Sequence, residues 1–243
     1  MNTLCRAKND AASLLASGGR VADIEPMFTF PRWSRRVAAT LMLAAGCLLA
    51  LPAAAEKAKP AALDEAAKAD VARIEAYLNG IKTMRTRFLQ ISQAGDAASG
   101  ELTIARPGRM RFEYDPPQQI MLISDGNYLI YVDRRLEQMS HISLKNTPVG
   151  VLVSENVKLS GPLTVTRFLR EPGVIRVTVT KTDEAEEGTI TLAFADQPLV
   201  LRQWTVVDAQ NARTTVTLDA LEYGVAVKPE MFRYEVPQNT GRD

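Results

Sequence analysis

The sequence predicts a mainly β protein: a half-open antiparallel β-barrel of about eleven strands, covered by short helices. Two observations carry this. Gly100 to Val132 holds four short strand-like runs, parted by Arg106-Pro107-Gly108, Asp115-Pro116-Pro117 and Asp125-Gly126. Proline, glycine and Asp-Gly at such joints are turn chemistry. Leu163 to Leu221 holds five further runs, each bounded by turn residues. Single runs at Ile81–Gln93 and Glu137–Ile142 complete the count. A twisted antiparallel sheet of that width curls on itself, so a barrel-like shape with helices over one opening is expected.

Residues 1–55 are not counted toward this domain. Pro31-Arg32-Trp33-Ser34-Arg35-Arg36 is a basic region, Val37 to Leu51 is apolar, and Pro52-Ala53-Ala54-Ala55 offers small residues for cleavage. That is the pattern of a signal peptide over 27–55, cut after Ala55. The apolar run is shorter than the roughly 20 residues a membrane span needs. Met27 stands where a signal peptide starts, which makes 1–26 an extension from an upstream start codon. Ala44-Ala45-Gly46-Cys47 partly imitates a lipoprotein acylation box. An alanine, however, stands where leucine is usual, and Leu48 to Leu51 continues the apolar run past the cysteine. The cut after Ala55 removes both cysteines, Cys5 and Cys47, and with them disulfide and thiol chemistry. Six of the 29 Lys+Arg and three of the 28 Asp+Glu precede residue 56, which leaves a net charge of −2. No basic block for nucleic acid remains.

A single domain is expected over 63–243. Glu56 to Ala62, all alanine, lysine and proline after the first residue, reads as a solvated tether. Leu63 to Leu78 is an amphipathic helix with Ala67, Val71, Ile74, Tyr77 and Leu78 on one face, Asp64 as cap and Asn79-Gly80 as stop. Ala94 to Ser99 reads as a hairpin loop. Met110, Phe112 and Tyr114 fall on one face of their strand, and Arg109, Arg111 and Glu113 on the other. Met121-Leu122-Ile123 and Leu129 to Val132 are apolar on both faces, so they require cover on both sides by core, helix or ligand. Met84, Met110, Met121, Met139 and Met231, on strands or their ends, add flexible thioether surface suited to varied apolar shapes. Thr147-Pro148 has the form of a helix cap and first position, and Gly150 weakens the short helix that follows. The acidic run Asp183 to Glu187 lacks calcium-loop spacing and reads as a solvated tip.

Enzyme signatures fail one after another. His141 is the only histidine, no Gly-x-Ser-x-Gly elbow is present, and no glycine-rich phosphate loop precedes a helix. Asp125 is explained by its turn. No catalytic residue, metal site or cofactor is expected; what remains is hydrophobic binding.

Gly100, Leu102, Ile104, Arg106, Pro107, Met110, Phe112, Ser124, Asp125 and Gly126 form an ordered set that resembles the LolA family of periplasmic lipoprotein carriers. Phe88 and Gln90 after the first helix, and the closing Pro229, Met231, Phe232, Tyr234 and Pro237, fit the same resemblance. The resemblance implies an open barrel with a helical lid, a periplasmic location and no catalysis. It implies a lipid-binding cavity of Leu102, Ile104, Met110, Phe112, Tyr114, Met121 and Ile123. The lid would comprise Val71, Ile74 and Leu78 of the first helix with Pro148, Val151 and Leu152 of the second. The corresponding family arginine holds the lid shut, a role that falls to Arg106, whose rigid five-donor head suits fastening carbonyls. Implied partners are acylated lipoproteins, a LolCDE-type ABC transporter as donor and a LolB-type outer-membrane receptor, with the carrier a monomer. A carrier or sensor of another lipid or glycolipid on the same fold is the alternative.

Overall fold

A computed structural model describes residues 57–234. The expected signal peptide, Cys47, the cut after Ala55 and Pro237 lie outside them. Helix α1 (Glu65–Gly80) precedes six strands: β1 (Thr83–Ser92), β2 (Ala97–Ala105), β3 (Arg109–Tyr114), β4 (Ile120–Asp125), β5 (Tyr128–Asp133) and β6 (Gln138–Ser143). Short 3-10 helices follow at Leu144–Asn146 and Pro148–Val153. The chain continues with β7 (Leu163–Glu171), β8 (Val174–Lys181), β9 (Gly188–Ala195), β10 (Val200–Asp208), β11 (Arg213–Tyr223) and a 3-10 turn at Pro229–Phe232.

All eleven strands form one antiparallel sheet in the order β6-β5-β4-β3-β2-β1-β11-β10-β9-β8-β7. Its ends do not pair with each other, so the barrel is open. Two meanders meet where β1 pairs with β11, and register shifts at Arg85/Arg87, Val165/Arg167 and Leu201/Gln203 bend the strands. β6 and β7 are consecutive strands of the chain yet occupy opposite edges, so residues 144–162 must traverse the whole width of the sheet. They do so over the concave side, which places Val149, Val151, Leu152, Val153, Val157 and Leu159 in the main core. The position of this crossing segment follows from strand order.

Helix α1 starts as expected, with Asp64 Oδ1 accepting the Ala67 N–H at 2.8 Å. Ile74 and Leu78 are buried in the main core with Met84, Phe88 and Leu102. The helix does not stop through a left-handed residue; Ile81, extended at φ −78°, donates its N–H to Leu78 O. Asn79 has another use: its side chain accepts from Val157 N at 2.8 Å and donates to Val157 O at 3.0 Å.

Three other expectations change. The loop expected at 94–99 is shorter, because β2 begins at Ala97. Gly100 is therefore inside a strand, where a Cβ would meet the Phe88 ring at 2.7 Å and Glu113 O at 2.1 Å. The expected tether is docked: Ala58 donates to Thr182 O at 3.0 Å and Ala61 to Val165 O at 2.8 Å, alongside edge strand β7. Backbone groups of an edge strand without partners attract such pairing. Gly150 is not simply a weak point, since a Cβ there would approach Leu144 O to 2.7 Å.

A second, smaller core lies on the opposite face of the sheet. Phe232 is inserted among Ala105, Met121, Ile123, Ile130 and Val132, with Val227, Met231 and Tyr234 packed against it.

Candidate ligand-binding site and its cover

Two turns that the sequence singles out meet in space. Arg106-Pro107-Gly108 joins β2 to β3, and Ser124-Asp125-Gly126 leads from β4 into β5. Asp125 Oδ1 accepts the N–H groups of Asn127 at 2.8 Å and Tyr128 at 2.9 Å, the turn role expected of it. Ser124 Oγ donates to Gly108 O at 2.6 Å. Gly108 has φ +72°, and a Cβ there would lie 2.6 Å from Gly126 Cα, so the two turns touch glycine to glycine.

This paired turn holds the end of the Pro148–Val153 3-10 helix by its carbonyls. Gly108 N–H donates to Val153 O at 2.7 Å, and Arg106 Nε donates to Leu152 O at 3.0 Å. Burial pulls the Arg106 guanidinium down to about 10, which leaves it charged at neutral pH. At the other end of the cover, Leu144 N–H donates to Asn127 O at 2.8 Å. Thr147 does not cap the 3-10 helix with its side chain; its hydroxyl donates back to Leu144 O at 2.8 Å. The partnership of Gly108 and Ser124 had no separate signal in the sequence beyond turn composition.

Helix α1 is fastened by different means. Asp70, buried, pairs with Arg73 at 2.8 Å and with Arg170 of β7; Asp196 pairs with Arg73 at 2.7 Å and Arg170 at 2.8 Å. This ring of four charges bolts the helix to β7 and the β9–β10 turn. Tyr77 Oη accepts from Leu201 N at 3.0 Å and shares a hydrogen bond with Tyr223 at 2.7 Å; burial first, and the Tyr223 bond after it, push its phenol pKa up. Glu75 accepts from Leu159 N at 2.6 Å, so the far end of the crossing segment hangs on the helix. An aspartate at Asp70 on an otherwise apolar helix face was the one available hint of this clamp.

The predicted cavity residues divide. Leu102, Ile104, Met110, Phe112 and Tyr114 share the main core on the concave face with Ile74, Leu78, Val151 and Leu152. Met121 and Ile123 lie on the convex face under Phe232. Register explains the split: Met121 sits opposite Glu113 and Ile123 opposite Arg111, whereas Leu122 sits opposite Phe112. Met121 and Ile123 are therefore corrected out of the cavity set. Of the methionines, Met84 and Met110 face the concave core, Met231 packs on the convex side, and Met139 is exposed on β6. Predicted lid residues Ile74, Leu78, Val151 and Leu152 are buried, and Val71 and Pro148 are half-buried. His141 is exposed beside Tyr128, ring centroids 6.4 Å apart.

A cleft of about 780 Å³ opens between the crossing segment and β8–β9, with Val151, Val153, Val157, Val179 and Ile190 among its apolar walls. Its size is that of a small-ligand pocket, roughly 300–1,000 Å³. The acidic run is part of its rim: Lys181 pairs with Glu184 at 2.6 Å and with Glu187. Among the described residues, no three His, Cys, Asp or Glu side chains gather as a metal site, and no helix is long and apolar enough to cross a membrane.

The class of architecture is an open antiparallel sheet whose apolar concave face is closed by separately fastened helices. Comparison with known proteins agrees: the profile for "Outer membrane lipoprotein carrier protein LolA" matches residues 79–235. The chain belongs to the LolA family. An outer-membrane lipoprotein carrier protein from Azotobacter vinelandii is 27% identical over 202 residues, covering 79% of this chain and 95% of the relative. One from Pseudomonas syringae pv. syringae is 25% identical over 179 residues, covering 70% and 85%. Among solved structures, a LolA superfamily protein from Nitrosomonas europaea is 8% identical with a TM-score of 0.42, covering 68% of this chain and 97% of that one.

Proposed function

We propose that this protein is a periplasmic carrier that hides the acyl chains of lipoproteins released from the inner membrane and delivers them to an outer-membrane receptor. The observation that carries the reading is the concave apolar face closed by a segment held through a few exchangeable hydrogen bonds, chiefly those of Arg106 and Gly108 to Leu152 and Val153. Transfer energetics supply the need. An acyl chain of about 16 carbons, at roughly 0.8 kcal/mol per methylene, gains on the order of 12 kcal/mol on leaving water. Such chains do not cross an aqueous compartment bare.

Loading lifts residues 144–156 away from β8–β10, breaks the Arg106–Leu152 contact and parts the core lined by Leu102, Ile104, Met110, Phe112 and Tyr114. The 780 Å³ cleft is where the opening begins. Unloading restores the latch, and that regained contact helps drive transfer to the receiver. The carrier works as a monomer, with a LolCDE-type transporter as donor and a LolB-type receptor. It is exported by a signal peptide cut after Ala55.

A release assay tests the reading. Spheroplasts making a labelled outer-membrane lipoprotein are mixed with the purified protein, and a soluble one-to-one complex is expected in the supernatant. Label that stays on the membrane, while the protein still takes up free lipid, would move the function to a carrier of another lipid.

A further inference from the structure

Four buried side-chain polar atoms lack a hydrogen-bond partner among the described residues: Arg85 Nε, Arg106 Nη1, Trp204 Nε1 and Asp208 Oδ2. Three belong to groups otherwise engaged. Arg85 forms an ion pair with Glu101 at 3.7 Å, Arg106 holds Leu152 O, and Asp208 Oδ1 accepts from Gln210 and Ala212. Trp204 differs, because the indole N–H is its whole polar capacity and the residue is 0% exposed. An unpaired buried donor costs roughly 1–3 kcal/mol, and native cores rarely keep one without a use.

Its position says what the use is. Trp204 lies in the main core on β10, between Leu192 of β9 and Val216 of β11, with the Phe112 ring edge-on at 6.3 Å. The Pro148–Val153 segment, the part of the cover that the proposed loading lifts, runs against β9 and β10. Gln90, one strand beyond Val216, is engaged by Tyr114, whose hydroxyl donates to Gln90 Oε1 at 2.7 Å. Trp204 Nε1 is thus an unpaired donor set among buried apolar side chains, on a strand that the Pro148–Val153 segment runs against.

We infer that Trp204 Nε1 is a polar anchor of the ligand cavity, donating to an ester carbonyl oxygen of an acylated glyceryl group when the cover opens. The inference rests on the carrier reading above. A lone donor among apolar walls selects a ligand that brings an acceptor on an alkyl frame, and an acyl ester is that combination. A hydrocarbon chain without a carbonyl leaves the donor unpaired.

Trp33 and Trp204 are the two tryptophans of the chain, so the full chain carrying Trp33→Phe reports from Trp204 alone. This parent is titrated with a dipalmitoylglyceryl cysteine peptide and with its dialkyl ether analogue, which lacks the ester carbonyls. The ester probe is expected to bind about tenfold more tightly and to red-shift the Trp204 emission, as a single hydrogen bond predicts. Adding Trp204→Phe, which keeps an aromatic ring but removes the N–H, brings both probes to the same affinity. Equal affinities and identical emission in the parent overturn the anchor and leave the carrier reading standing; binding of neither probe overturns both. Should the double variant fail to fold, the parent's ester-to-ether ratio and emission decide alone.

Discussion

Strand β4 presents Leu122 and Ser124 to one side of the sheet and Met121 and Ile123 to the other, and the two sides are closed in different ways. On the convex side the closure is an apolar plug. Phe232, 1% exposed, fills the space over Met121, Ile123 and Ile130, with the Arg109 guanidinium 5.7 Å above its ring and Arg111 Nη1 donating to Met231 O at 3.1 Å. On the concave side the closure joins apolar burial of Val149, Val151, Leu152 and Val153 to polar ties: the four-charge ring on α1, the Asn79 and Glu75 bonds to residues 157–159, and the Arg106 and Gly108 bonds to the 3-10 helix. A plug is lost only by exposing an aromatic ring to water, at about 1.5–3 kcal/mol. A single hydrogen bond contributes about 1 kcal/mol net, and an incoming ligand or water replaces it readily. Within the concave cover, the polar ties of α1 are ion pairs, whereas those of the Pro148–Val153 segment are bonds to its carbonyls. In the proposed function, residues 144–156 are the part that opens and α1 stays in place.

The difference is open to direct attack. Phe232→Ala is expected to cost about 3–4 kcal/mol, read as a lower urea midpoint, with acyl-chain binding unchanged. Loss of binding as well would place the convex cluster in the ligand site and erase the contrast. Asp70→Ala removes a buried carboxylate from two arginines that are themselves half in solvent, and about 2 kcal/mol of stability should go with it. Amide exchange should then accelerate in α1 and not in β4.

Arg106→Leu is expected to change global stability by less than about 1 kcal/mol, because the lost bond to Leu152 is offset by relief of a poorly solvated charge. The variant should still accept lipoprotein, yet pass it to the receptor several-fold more slowly. Transfer at the wild-type rate would remove Arg106 as the latch.

The smallest effect is that of acid. A hydrogen bond from Arg73 first, and the Arg170 charge after it, hold the Asp196 carboxyl below its usual range. A carboxyl lowered in the folded state stabilises above its unfolded pKa, about 4, and that contribution disappears as the pH falls through the lowered value. Protection of α1 against amide exchange should therefore decline below pH about 4 while the Phe232 plug, held by an aromatic ring, keeps its own. Equal decline on both sides would mean that the charge ring does not distinguish them.

Much was legible along the chain because it is written in short-range chemistry. Eleven strands, the Asp64 cap and the Asp125 turn are each decided by alternation, turn residues or a side chain a few positions away. Period-two alternation also put Met110, Phe112 and Tyr114 on one face together, as the sheet does. What tertiary structure alone decided is how the pieces are brought together over long separations. Met121 and Ile123 look identical to Leu122 in hydropathy, and only the register β3–β4, with a strap from residues 224–234 folded back more than a hundred positions, sends them to the convex side. The same holds for the cover. Nothing local in 144–162 requires it to lie over the concave face; it lies there because β6 and β7 end up on opposite edges of one open sheet and the chain must cross between them.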